Sequence, residues 1–254
     1  MILDKFSGYL FRKKLRGSTF FHKTFLSGKN LVLHTRDETC LSLDPNDYVD
    51  RFIIDHGYYE SEVLDAILGH LPESGVFWDV GANIGIHAVS IARKMPKTKV
   101  FCFEPNPIMA KRIQINAELN QVTLNIQPTA LGKEPRKGFL YLHQGNTGMS
   151  STHNWSGQEG VNKIEIQIKK ADDLCPGLVD PPNVVKIDVE GGEIDVLEGM
   201  DRILGTKELR AVIFEDNLGD SAAKKKLQEK GFRIQQLKRK EPTHHNLENY
   251  LTVK

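Results

Sequence analysis

The chain has 254 residues, 39% hydrophobic and 26% charged, with a formal net charge of +1. That is enough to bury the core of a large α/β domain, and it excludes a disordered or fibrous chain. Cys40, Cys102 and Cys175 are too scattered for a disulfide framework or a CxxC metal knuckle, which points to a reducing, cytoplasmic setting. No apolar stretch is long enough to span a bilayer, and no apolar run follows the first basic residues, so neither a spanning helix nor a signal peptide is expected.

The small net charge hides an asymmetry. Residues 1–30 carry seven Lys/Arg against one Asp, and residues 221–254 carry nine against three Glu, so the middle is acidic. Basic ends either pack on that acidic body or meet an anionic partner. The opening residues interleave Phe6, Tyr9, Leu10, Phe11, Leu15 and Phe20 with Lys and Arg. They read as a cap on the domain, the alternative being peripheral contact with a membrane surface.

In chain order, residues 31–55 read as a strand pair, and residues 1–55 as an N-terminal extension. Residues 56–254 form the main domain. Val63, Leu64, Ile67, Leu68 and Leu71 stand at helical spacing over 60–71. GVFWDV (75–80) is a strand, followed by a helical stripe of Ile84, Ala88, Ile91, Ala92 and Met95. KVFCFE (99–104) is a second strand, and Asn106 with Pro107 starts a second helix. LNIQPTA (124–130) is a third strand. GFLYLH and KIEIQIK flank a long polar segment and read as an inserted hairpin whose loop either borders the ligand or hangs free. NVVKID (183–188) and LRAVIFED (209–216) are strands four and five, with a helix between them that stops at Gly205. After SAAKKKLQEK, FRIQQLK and NYLTVK close the chain as an antiparallel pair. Near-continuous apolar strands alternating with helices predict an α/β fold, an open and mostly parallel sheet covered on both faces.

Ligands of such sheets bind beyond the carboxyl ends of the strands, where this sequence concentrates its unusual residues. Asp79, Gly81, Asn83 and Gly85 sit where the first strand turns into a helix. Glycines permit positive φ and close approach, and the helix start offers free N–H groups. The dinucleotide pattern G-x-G-x-x-G is absent, because Asn83 takes the place of the middle glycine. This weakens an NAD-type oxidoreductase and leaves room for a ligand with one carboxylate. Glu104 ends the second strand, where an acid commonly binds both ribose hydroxyls. Asp79 suits a cation. A nucleoside, an amino acid and a positive sulfur together describe S-adenosylmethionine.

DVGANIG (79–85), FEPNP (103–107), NIQPTALG (125–132), KIDVEGGE (186–193) and VIFE (212–215) resemble the FkbM family of methyltransferases. HGYYE (56–60) resembles that family's opening G-x-x-E segment. The resemblance covers about residues 55 to 217. It implies a Rossmann-like fold and O-methylation of a hydroxyl on a glycan or small polar natural product. By position it implies that Glu60, Asp79, Gly81, Asn83, Gly85, Glu104, Asn106, Thr129 and Ala130 border the cofactor. Asp188 and Glu190 would then face the methyl group and the acceptor.

The acids of strands four and five admit two chemistries. Asp188, Asp216 and Asn217, at the ends of neighbouring strands, resemble the metal triad of catechol-type O-methyltransferases and would hold Mg²⁺ or another divalent cation. Those enzymes carry a Lys shortly after the first Asp, where this chain has Gly191. Without a metal, Asp188 or Glu190 is the general base. Glu193, His143 and His153 are further candidates. His87 reads as a structural partner of its helix, with acceptor contact as the alternative. His244-His245 lacks further ligands, and Asp180-Pro181-Pro182-Asn183 reads as a turn. A nucleic-acid acceptor is disfavoured, since the basic ends lack an aromatic stacking motif.

Overall fold

The structure, a computed structural model, describes residues 30–143, 145–153, 162–217, 219–240 and 247–254. β1 (Leu31–His34) alternates buried and exposed side chains and pairs antiparallel with β2 (Cys40–Leu43), Leu31 opposite Leu43. The rest of the expected strand pair is instead a helix, α1 (Tyr48–His56). Asp47 caps it by accepting from Val49 N and Asp50 N, and Gly57 ends it in the left-handed region. The boundary drawn at residue 55 thus falls inside its last turn. Leu31, Leu33, Leu41, Leu43, Ile53 and Ile54 pack with Ile84 and Met109 of the main domain, and Arg112 pairs with the buried Asp50. The basic amphipathic start, with its membrane-surface alternative, lies outside the described residues, as does His244-His245.

α2 (Ser61–His70) leads to β3 (Val76–Val80), α3 (Ile86–Lys94), β4 (Lys99–Phe103), α4 (Pro107–Leu119) and β5 (Asn125–Gln127). As expected, Asn106 caps α4, accepting from Ile108 N, with Pro107 in the first turn. LNIQPTA is not one strand. After β5 the chain passes Pro128, which has no N–H for a ladder, and Ala130–Leu131 forms β6 in a different sheet. That sheet is completed by the inserted hairpin, β7 (Arg136–Tyr141) and β8 (Lys163–Lys169), in the order β6-β8-β7.

α5 (Ala171–Leu174) precedes β9 (Val184–Ile187). The helix expected next divides at Met200 into α6 (Glu193–Gly199) and α7 (Asp201–Gly205). β10 (Ala211–Asn217), α8 (Ala222–Glu229), β11 (Arg233–Gln236) and β12 (Leu247–Val253) end the chain. Among the described residues the main sheet has seven strands in the order β11-β12-β10-β9-β3-β4-β5. β12 runs antiparallel to both neighbours, and β10, β9, β3, β4 and β5 are mutually parallel.

Strand side chains alternate between the two faces, which divides the core. Phe77, Val100, Cys102 and Ile213 pack with Val63 and Ile67 of α2, Ala88 and Ile91 of α3 and Ile113 of α4. Trp78, Phe103, Ile187 and Phe214 pack with Leu197 of α6, Ile203 of α7 and Leu227 of α8 on the other face. Burying both faces explains the nearly unbroken apolar strands. The three cysteines are buried and free. Among the described residues, no helix is long and apolar enough to cross a membrane.

Candidate functional site: a crevice where the strand order reverses

From β3 the chain moves outward through β4 and β5, then returns to β9 on the other side of β3. α3 covers one face and α6 the other, so the carboxyl ends of β3 and β9 open into a crevice. One cavity there is bounded by the loop after β3, the ends of β4, β9 and β10, Tyr59 and Glu60 before α2, and residues 147–150 and 152 of the inserted segment.

The loop after β3 has φ of +77° at Gly81, +50° at Asn83 and +80° at Gly85. Gly81 is dictated by its neighbour. A Cβ there would lie 1.8 Å from the Asp188 carbonyl oxygen, because Asp188 N donates to Val80 O across the reversal. Close backbone approach does occur at this glycine, but to the chain itself. Asn83 tolerates the left-handed region better than most residues. Its N–H donates to Glu104 Oε2 at 2.8 Å, and its side chain accepts from Thr147 Oγ1 at 3.4 Å.

Glu104 is buried and lines the crevice. Its second oxygen, Oε1, accepts from Asn106 N at 2.8 Å. Two backbone donors therefore fix the carboxylate in one orientation, and each oxygen keeps a lone pair for a ligand. Burial pushes its pKa up to about 7, against the two N–H groups and Lys186, which favour the charged form. A ligand that brings hydroxyl donors would satisfy it.

The strand ends gather charge. Lys186, inside the apolar run of β9, is buried with its ammonium 3.0 Å from Asp188, 3.5 Å from Asp79 and 3.2 Å from Gly81 O. Burial pulls its pKa down, but Asp188, Asp79 and Glu60 outweigh that and hold it above the usual lysine range. Glu60 accepts from Asn249 Nδ2 at 3.0 Å. Burial first, then Asp188, raises its pKa to about 7. Glu190, at φ +55°, is raised to about 8 by burial, Asp188 and Glu193. Glu215 is raised to about 9 by burial and by Asp188, Glu60 and Glu190, although Arg239 lies 3.4 Å away.

The expected positions divide accordingly. Glu60, Gly81, Asn83, Glu104, Asn106, Ala130, Asp188 and Glu190 all line the cavity. Gly85 starts α3 and packs toward Ile113. Asp79 is buried outside the lining, facing Lys186, with neither oxygen hydrogen-bonded among the described residues. Thr129 also lies outside the lining, because its hydroxyl donates to Gln167 O in the small sheet at 2.8 Å.

The metal triad is corrected. Side chains alternate along β10, so Glu215 faces the crevice and Asp216 turns away to accept from Ser221, the cap of α8. The side chain of Asn217 lies outside the described residues. The carboxylates that converge are Asp188, Glu190 and Glu215, whose oxygens lie within 4.8 Å of one another. Two of them already face the cations Lys186 and Arg239. Glu193, a candidate base, instead accepts from Val189 N and Gly191 N. His143 is exposed, and His153 is exposed beside Thr152. Of the long polar segment, residues 147–150 and 152 border the cavity, and 144 and 154–161 lie outside the described residues.

Sequence reasoning missed Lys186 and Glu215 and left His87 open. A lysine inside VVKI was the available signal for the first. His87 is buried and lines the cavity, and its Nε2 has no partner among the described residues.

A mostly parallel sheet with an acid-lined crevice at its reversal and a carboxylate fixed at the end of the next strand defines a Rossmann-like ligand-binding α/β protein. Residues 79–252 match the methyltransferase FkbM domain, and the chain belongs to that family of methyltransferases. The hexuronic acid methyltransferase AglP of Haloferax volcanii is 35% identical over 161 residues, 63% of this chain and 63% of that one. Methyltransferase 1 of Beauveria bassiana is 29% identical over 186 residues, 64% of this chain and 74% of that one. The 2-O-methyltransferase NoeI of Sinorhizobium fredii is 25% identical over 142 residues, 49% and 56% of the two chains. The chain spans less than two thirds of the length of the first and third of these relatives.

Proposed function

We propose that this methyltransferase uses S-adenosylmethionine to methylate a hydroxyl of a glycan or small polar acceptor. The observation that carries the reading is Glu104, a buried carboxylate held over the crevice by Asn83 N and Asn106 N. It fits the vicinal hydroxyls of a ribose, which supply the two donors it lacks. The relatives named for a hexuronic acid and for 2-O-methylation support the acceptor class and the accepting atom.

When bound, the cofactor supplies a methyl group already activated on a sulfonium, so the protein contributes mainly position and deprotonation. Glu104 orients the ribose. Glu190, raised to about 8, takes the acceptor's hydroxyl proton, since a base that titrates near the working pH combines availability with driving force. The deprotonated acceptor oxygen would thereby be left as the nucleophile for the methyl group that the cofactor would supply. Lys186 fixes Asp188 beside this base.

Calorimetry with S-adenosylmethionine, S-adenosylhomocysteine and NAD tests the donor. Binding of the first two and not the third is expected, and binding of NAD alone would overturn the reading. Mass spectrometry of uronic acid glycosides and neutral glycosides after incubation then tests the acceptor, with a gain of one methyl on oxygen as the expected product.

A further inference from the structure

His87 carries a property that the roles above do not use. Its ring is buried in the first turn of α3. The Glu60 backbone beside it favours its protonated form, as a carbonyl near the ring does, and Nε2 has no partner among the described residues. Buried polar atoms in folded proteins almost always have one. With the ring proton on Nδ1, toward that backbone group, Nε2 offers a lone pair and no hydrogen. Burial and Lys186 lower the imidazole pKa to about 4, so the ring stays neutral at ordinary pH and cannot become a double donor. The ring also borders a smaller cavity shared with Tyr59 and Ile86. The charges it feels are nonetheless Lys186, Asp79 and Asp188 at the strand ends, none of which lines that second cavity.

We propose that His87 Nε2 accepts a hydrogen bond from the α-ammonium group of the cofactor's methionine end, next to the Glu60 carboxylate. This deepens the S-adenosylmethionine reading and rests on it. An ammonium has three donors and no acceptor. It can therefore donate both to Nε2 and to an ionised Glu60, whereas the methionine carboxylate, with acceptors only, can donate to neither. The His87 ring lies by the Glu60 backbone, and Asn249 holds one Glu60 oxygen at 3.0 Å. His87 is thus a positioning residue for the sulfonium end, with no part in proton transfer.

The test compares S-adenosylhomocysteine with its analogue lacking the α-amino group, by calorimetry without acceptor. Wild-type protein is expected to bind the amine-bearing ligand at least about tenfold more tightly, tenfold being the worth of a single charged hydrogen bond. In His87→Leu that ratio falls below about threefold, while affinity for the deaminated analogue, gripped at the Glu104 end, is unchanged. His87→Gln, which keeps an acceptor oxygen, gives an intermediate ratio. If His87→Leu binds neither ligand, the ratio in His87→Gln decides: a value between one and the wild-type ratio supports the proposal, and the full ratio overturns it. An undiminished ratio in folded His87→Leu overturns it as well. Wild-type protein that binds neither compound removes the donor reading itself, a different failure.

Discussion

The Lys186 ammonium lies 3.0 Å from the Asp188 carboxylate and 3.5 Å from that of Asp79. One buried cation thus joins the ends of the two strands that flank the crevice. Lys186→Met would leave Asp79 and Asp188 without their counter-charge. Breaking a buried pair from one side costs about 3–5 kcal/mol, so a fall of that order in urea-unfolding stability is expected. Adding Asp79→Asn should recover part of it. A single variant as stable as wild type would show that the pairs carry no such weight.

Glu104→Gln should weaken S-adenosylhomocysteine binding by about 10- to 100-fold, because hydrogen bonds to a charged group are worth roughly 1.5–3 kcal/mol. Thr129→Val should change that affinity by less than about threefold, since the Thr129 hydroxyl is bonded to Gln167 O inside the small sheet. Calorimetry separates the two. Equal losses would place Thr129 at the ligand after all.

Glu190→Gln should lower kcat by about 10²- to 10⁴-fold, the usual contribution of a general base, and leave cofactor affinity unchanged. The base must be deprotonated to act. The wild-type rate should therefore rise with pH and level off above about 8. A profile flat from pH 6 to 9 would remove Glu190 from that role.

Asp188, Glu190 and Glu215 have the chemistry of a divalent site, yet Lys186 and Arg239 already neutralise much of it. Turnover is expected to survive exhaustive chelation. Asp216→Ala, by removing the partner of the Ser221 cap, should cost about 1 kcal/mol of stability and leave kcat intact. Loss of activity on chelation, restored by Mg²⁺, would establish a metal at those three carboxylates.

Glu215 gives the apo protein a pH dependence of definite sign. Its pKa in the folded chain is raised from 4.5 to about 9, by burial first and then by Asp188, Glu60 and Glu190. Its contribution to stability is full below the unfolded value and is lost as pH rises toward the folded one. Glu215→Gln should match wild type near pH 5 and exceed it at pH 8 by about 1–2 kcal/mol, or roughly 2–6 °C in Tm. Arg239 also faces Glu248 at 3.2 Å, a partner that this substitution does not remove. Thermal melts of both proteins across this range measure it.

Most of the order of strands and helices, the Asn106-Pro107 helix start, the inserted hairpin and the antiparallel close could be read from the residues, though not the division of LNIQPTA between two sheets. Each rests on local periodicity or capping, which the chain carries wherever it goes. So could Glu104 at the end of its strand. Helix α1 was legible too, in Asp47 and the spacing of Val49, Phe52, Ile53 and His56, but short apolar runs also fit strands. Other features belonged to the tertiary structure. Only the pleat of β10 decided that Glu215 and not Asp216 faces the crevice. Only the reversal of strand order set Lys186 of β9 opposite Asp79 of β3, and made Gly81 the one residue that fits against the Asp188 carbonyl. Local sequence specifies which elements form. Which charges meet is a property of strands adjacent in space and more than a hundred residues apart in the chain.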